Sequence, residues 1–333
     1  MAPRKSNKRT RNKKLDPVPL TLSFTAPLQG DNYIDLSMVA SAVSRKFLRQ
    51  GLDWAVSHFT VTALGNMNGT VTVSKIPQTW VASNAWHKAY AMWQQQELDV
   101  IDEIGAESAV ARFRDFKIHI DENQVLSPLQ LSATSPAAGE TLVPYDNAFN
   151  LVNIGEWQYS QIVIPNANGA GIETEYYLHM VGPNSSALPG VSSRGIIDGY
   201  ASSRAYPQSP DPVSPDIGGF ANWMRDMFNV GDDNSTIARN ATDENDDVPY
   251  DQVNYPGTDL NFADTEVLGF AFINNGTDTG IGKATLTGSN FPCGLIKLSS
   301  NFTTTGSNTY YNIQVHLVPG SHRGYLASSM QDM

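Results

Sequence analysis

Seven cations crowd the first fourteen residues: Arg4, Lys5, Lys8, Arg9, Arg11, Lys13 and Lys14, with no acidic residue among them. Side chains of this kind on a short polar stretch neutralise phosphates by releasing counterions, a chemistry that needs charge but no fixed structure. The rest of the 333-residue chain holds 15 basic and 33 acidic residues, a balance of −18. Such a body repels polyanions over most of its surface. The sequence therefore predicts two jobs, a disordered basic arm over residues 1–19 and an acidic folded body behind it. Lys8 to Lys14 also fits a nuclear import signal. A second basic group, Arg45, Lys46 and Arg49, sits where apolar residues recur at helical spacing from Ser37 to Gln50, with Gly51 at the expected C-cap. The three are expected on that helix's polar face, extending the arm's positive surface.

Catalytic patterns do not emerge. The histidines at 58, 87, 119, 179, 316 and 322 are dispersed, without His-x-His or His-Glu-x-x-His, so no metal site is expected from them. His119 and His179 alternate with apolar neighbours and read as structural. Gly-x-Ser-x-Gly is absent. Cys293, the one cysteine, excludes an internal disulfide and lies between Pro292 and Gly294 as a buried thiol at a turn. Gly276 to Lys283 imitates a phosphate loop, but is one residue too long and has Ala284 where a magnesium-holding Ser or Thr belongs, so a hairpin turn is expected there. The acidic run 243–247 lacks the spacing of a calcium loop and reads as solvated surface, with an inter-subunit calcium ion as the one cofactor left open. Six Asn-x-Ser/Thr sequons occur, but no apolar run follows the basic N-terminus, so a secretory signal and glycosylation are not expected. Nor does any stretch approach the ~18 apolar residues of a membrane helix.

The elements that carry these residues are mostly strands. Period-two alternation marks Thr21–Thr25, Leu52–Ala63 with a phase slip near Ser57-His58, and Thr70–Ile76, the last two read as a hairpin across Asn66 to Gly69. Further strands are expected at 115–120, 157–164, 175–181, 266–273, 281–287, 294–299 and 310–318. A second helix over about 84–104 carries a Trp86, Tyr90 and Trp93 stripe that reads as core. This pattern predicts an all-β, antiparallel sandwich with two helical excursions. Residues 20–182 and 262–333 would form it, and 183–261, rich in Pro, Ser, Gly and Asp, would be an acidic surface insertion anchored by an apolar helix near Phe220, Trp223 and Phe228.

Taken in order, the basic tail, Tyr33-Ile34-Asp35-Leu36 before a helix, Thr79-Trp80 with Trp86 and Trp93, Asp115-Phe116-Lys117 and the run Val318 to Tyr325 resemble capsid proteins of circular, replication-initiator-encoding single-stranded DNA viruses. The resemblance covers both ends and the first third. It implies an eight-stranded jelly-roll subunit, non-enzymatic, that assembles with copies of itself into an icosahedral shell. It also implies packaging of single-stranded DNA, or less readily RNA, through an inward arm, with residence in the virion and the host nucleus. Fully extended, the fourteen-residue tail reaches roughly 45–50 Å. Two alternatives stand beside it. One is a carbohydrate-binding β-sandwich with a nuclear-targeting tail; the other is a double jelly-roll phage coat protein, which needs about sixteen strands.

Overall fold

The computed structural model describes residues 18–104, 115–126, 143–145, 157–165, 173–184, 192–204, 264–276, 280–305 and 310–330. The arm cations and most of 183–261, the helix expected near Phe220 and the acidic run included, lie outside them. In chain order the elements are β1 (Thr21–Pro27), β2 (Gln29–Asp35), α1 (Leu36–Ser44), β3 (Leu52–Leu64), β4 (Met67–Lys75) and α2 (Trp80–Ile104). There follow α3 (Glu122–Leu126), β5 (Val143–Tyr145), β6 (Gln161–Pro165), β7 (Glu173–His179), β8 (Ser193–Gly195) and α4 (Ile196–Arg204). The last part of the chain supplies β9 (Glu266–Asn274), β10 (Ile281–Thr287), β11 (Asn290–Phe291), β12 (Leu295–Thr304), β13 (Tyr310–Leu317), β14 (Pro319–Gly320), β15 (Gly324–Tyr325) and β16 (Ala327–Ser329).

Eight of these strands make the two antiparallel faces of a sandwich, ordered β10-β3-β13-β1 and β2-β12-β4-β9, with β5 added beyond β1 and β11 and β16 on β3 in the first sheet. The first strand lies beside the last, the second beside the seventh, the third beside the sixth and last, and the fourth beside the fifth and seventh. That pairing is the double Greek key of a jelly roll. Alternation explains it: Leu22, Phe24, Phe59, Val61, Ile313 and Val315 from one sheet meet Val71, Val73, Ile296, Leu298 and Phe302 from the other in one buried core.

Successive strands change sheet, which corrects two turn expectations. β3 and β4 are not a hairpin: β3 pairs with β13 and β10, whereas β4 pairs with β12 and β9. Both have an apolar face, and each buries it only by taking opposite sides of the sandwich. The segment around Gly276 to Lys283 likewise links β9 to β10 across the sheets instead of turning a hairpin. The Ser57 slip is present, because His316 faces His58 while Leu317 faces Val56. Below it β3 exchanges neighbours and pairs with β11 and the C-terminal β16. Residues 115–120 are not a strand; a bridge from His119 to His179 is their ladder contact.

The chain leaves the sandwich after β4 and returns at β9, so this excursion starts at residue 76 rather than 183, and of its described strands β5 pairs back onto β1. The excursion has a second core, in which Ala82, Ala85, Trp86 and Ala89 of α2 pack on Phe116, Ile118, Ile162, Leu178 and Ile196. Trp86 stacks on Tyr90 at 5.4 Å, so the aromatic stripe is packing. β8 and α4, inside the stretch read as a surface insertion, belong to this core through the fully buried Ile196.

Candidate nucleic-acid interface

Helix α1 stops six residues earlier than its apolar periodicity suggests. Asp35 caps its start, accepting the Met38 amide at 3.1 Å, and Arg45 ends it in the left-handed region at φ 54°. Gly51 is therefore not the C-cap, and Arg45, Lys46 and Arg49 do not lie along a helix face. They stand on the loop that follows. Two ties hold that loop to the body. Ser41 Oγ accepts the Leu48 amide at 2.8 Å and donates to the Ser37 carbonyl at 2.6 Å. Gln50 Nε2 donates to Asp35 Oδ2 at 2.8 Å and to the Ile118 carbonyl at 3.0 Å, while its Oε1 accepts the Ile118 amide at 2.6 Å. Leu48 and Gln50 are buried, which leaves Arg45, Phe47 and Arg49 exposed and Lys46 half-buried. An apolar anchor and a polar anchor thus hold the cations outward in fixed register.

A fourth cation joins them from the far end of the sequence. Arg323, exposed and at φ 52° in the turn between β14 and β15, donates from Nη1 to the Phe47 carbonyl. Gly324 follows at φ 108°, and a Cβ there would come within 2.5 Å of a Val18 side-chain carbon. Val18 is the first described residue, so the arm's root is seated on this turn. Val18, the Arg45–Arg49 loop and Arg323 consequently gather at one end of the sandwich, where β1 and β3 begin and β2 and β13 finish. Charge alone gave no reason to single out Arg323. The pairing that brings residue 323 to residue 47 is a product of the jelly-roll closure, although the run Val318 to Tyr325 belongs to the resemblance.

Beneath this end lie two carboxyls without solvent. Burial pushes Asp35 up to about 6 against its hydrogen bonds to the Met38 amide and Gln50. It does the same to Asp53, also to about 6, with Lys75 pulling the other way. Neither reaches the surface to oppose the loop's cations.

His119 and His179 are packed into the second core. His119, 2 % exposed, stacks on Tyr159 with ring centres 3.8 Å apart, and His179 holds the Pro183 carbonyl at 3.1 Å. Burial lowers them to about 3 and about 4, so both are neutral at pH 7. His58 and His316 stack at 4.0 Å across the β3–β13 ladder. Cys293 is buried and free, with its thiol pushed well up, first by desolvation. Among the described residues no three His, Cys, Asp or Glu side chains group as a metal site. Also among them, no helix is long and apolar enough to cross a membrane. Compared with family models, curated proteins and solved structures, the chain matches none.

Proposed function

We propose that the chain is a viral coat subunit whose jelly roll assembles with copies of itself into an icosahedral shell. Its basic arm takes up single-stranded DNA without sequence preference, and Arg45, Lys46, Arg49 and Arg323 carry the same positive surface onto the body. The observation that carries this reading is the convergence of the arm's root with four body cations at one end of the jelly roll, while the acidic excess of the chain lies in the 76–265 excursion. Phosphate binding there needs only charge and reach. A structural coat has no need of a catalytic constellation, and its residence would be the virion and, during assembly, the host nucleus. The carbohydrate-binding alternative rests on exposed tryptophans and draws less support, since Trp80 is the one exposed tryptophan among the described residues.

The test is purification of the full chain, mixing with single-stranded DNA, negative-stain microscopy and nuclease digestion. Uniform shells that protect the DNA are expected. Monomers under every condition, or shells that form yet protect no nucleic acid, would overturn the reading; monomers that bind a glycan array would favour the alternative.

A further inference from the structure

β9 is the outermost strand of its sheet, and among the described residues nothing pairs with its second edge. Ala271 and Ile273 point into the core, while Phe270 and Phe272 point away from it, 69 % and 57 % exposed. A one-residue slip against Val73 and Ser74 turns Val267 outward as well, 61 % exposed. Together these side chains show on the order of 400 Å² of apolar surface, within the range of the largest patch a monomer usually tolerates. A free sheet edge is also a row of unpaired amides and carbonyls, which proteins normally blunt with Lys or Pro. From Val267 to Gly276 there is neither charge nor proline.

We propose that this edge is a contact with the same strand of a second copy, antiparallel across a two-fold axis. Two features select that occupant. Two bodies of net charge −18 repel each other, and they approach most easily where each is uncharged, as along 267–276. Glu266, at the strip's start, already lies 3.9 Å from Lys75. An antiparallel edge is self-complementary, so identical strands satisfy one another's backbone groups about a two-fold. The inference rests on the coat reading for the identity of the partner, and names one of the shell's contacts.

Two measurements on the full chain test it. In the Phe270→Glu/Phe272→Glu variant, sedimentation velocity should show self-association weakened at least tenfold, with circular dichroism and the melting temperature close to those of the parent. Unchanged association in a folded variant would overturn the contact. Intact association with lost single-stranded DNA affinity would overturn it too, and would assign the two rings to base stacking. Should the double variant misfold, Phe270→Cys replaces it. With Cys293 buried, a short bismaleimide should join copies through residue 270 alone, and failure to cross-link an associating protein would refute the edge contact. If dimers cross-link but no shells ever form, the edge stands and the coat reading falls.

Discussion

Removing residues 1–14 should reduce, without abolishing, the salt dependence of single-stranded DNA binding. Each neutralised phosphate of a single strand contributes about −0.7 to the slope of log K against log salt. The arm's seven cations are therefore good for roughly −5. With Arg45, Lys46, Arg49 and Arg323 engaged at the same end, the whole subunit should approach about −8, and the arm-less body about −3. Between about 50 and 200 mM salt the full chain should then lose affinity on the order of 10⁵-fold, and the deletion variant only about 50-fold. Fluorescence anisotropy of a labelled oligothymidine across that range reads both slopes. Changing the four body cations to Gln in the full chain should return the slope to about −5, with equal effect on every sequence tested. A slope unmoved by the deletion would refute the arm's role. A slope near −5 in the parent would refute the four body cations while sparing the arm.

Asp53→Asn should stabilise the fold at pH 8 by up to about 3 kcal/mol, because Asp53 titrates at about 6 when folded and near 3.8 when unfolded. A raised carboxyl favours folding at low pH and loses that contribution as pH rises through 6, so the variant's advantage should vanish by about pH 4 in denaturant titrations. His119 and His179 act in the opposite sense: their depressed values give stability that is full above 6.5 and is lost as pH falls toward 4 and 3. Protonation of Asp35 and Asp53 offsets that loss between about 6 and 4, so acid unfolding of the parent should set in below about pH 4, and a midpoint near 6 would contradict the assignment. Gln50→Ala strips partners from both backbone groups of Ile118 and from Asp35 Oδ2, and should cost on the order of 3 kcal/mol, read as a lowered urea midpoint. Cys293 should resist a thiol reagent in the native state and react on unfolding; rapid native labelling would place it at the surface.

The sheet strands were legible because their burial alternates. β1, β9, β10 and β13 fall within two residues of the runs that period-two patterning marks. What patterning cannot carry is which sheet a strand joins. Leu52–Leu64 and Met67–Lys75 look like a hairpin because a hairpin and a crossover between sheets both need alternation on each side of a short polar turn. The difference lies in non-local pairing to β13 and β12, more than two hundred residues away. The end of α1 escaped for a local reason. Phe47 and Leu48 continue the helical spacing, yet Leu48 is buried by the Ser41 tie and Phe47 is exposed, so the period is coincidental. At the candidate interface the charges of the loop could be read directly, but its fourth member could not, since Arg323 reaches Phe47 only after the C-terminal turn folds back beside α1.

The charge distribution makes assembly and cargo parts of one equilibrium in the proposed shell. Each body carries −18 with four of its cations at one end, and each arm adds seven more. Packing many such ends inward without a polyanion concentrates positive charge, and packing the bodies side by side concentrates negative charge at the seams. Both terms oppose an empty shell at low salt. Single-stranded DNA removes the first by pairing with the arms and the body cations, and screening within a Debye length of ~10 Å near 0.1 M salt weakens the second. The uncharged strip on β9 is where the seams can close without that help. Nucleic acid is thus better described as a component of the assembled state than as a passenger, because it relieves a repulsion between the gathered cations that the rest of the chain, whose acidic excess lies in the 76–265 excursion, does not relieve.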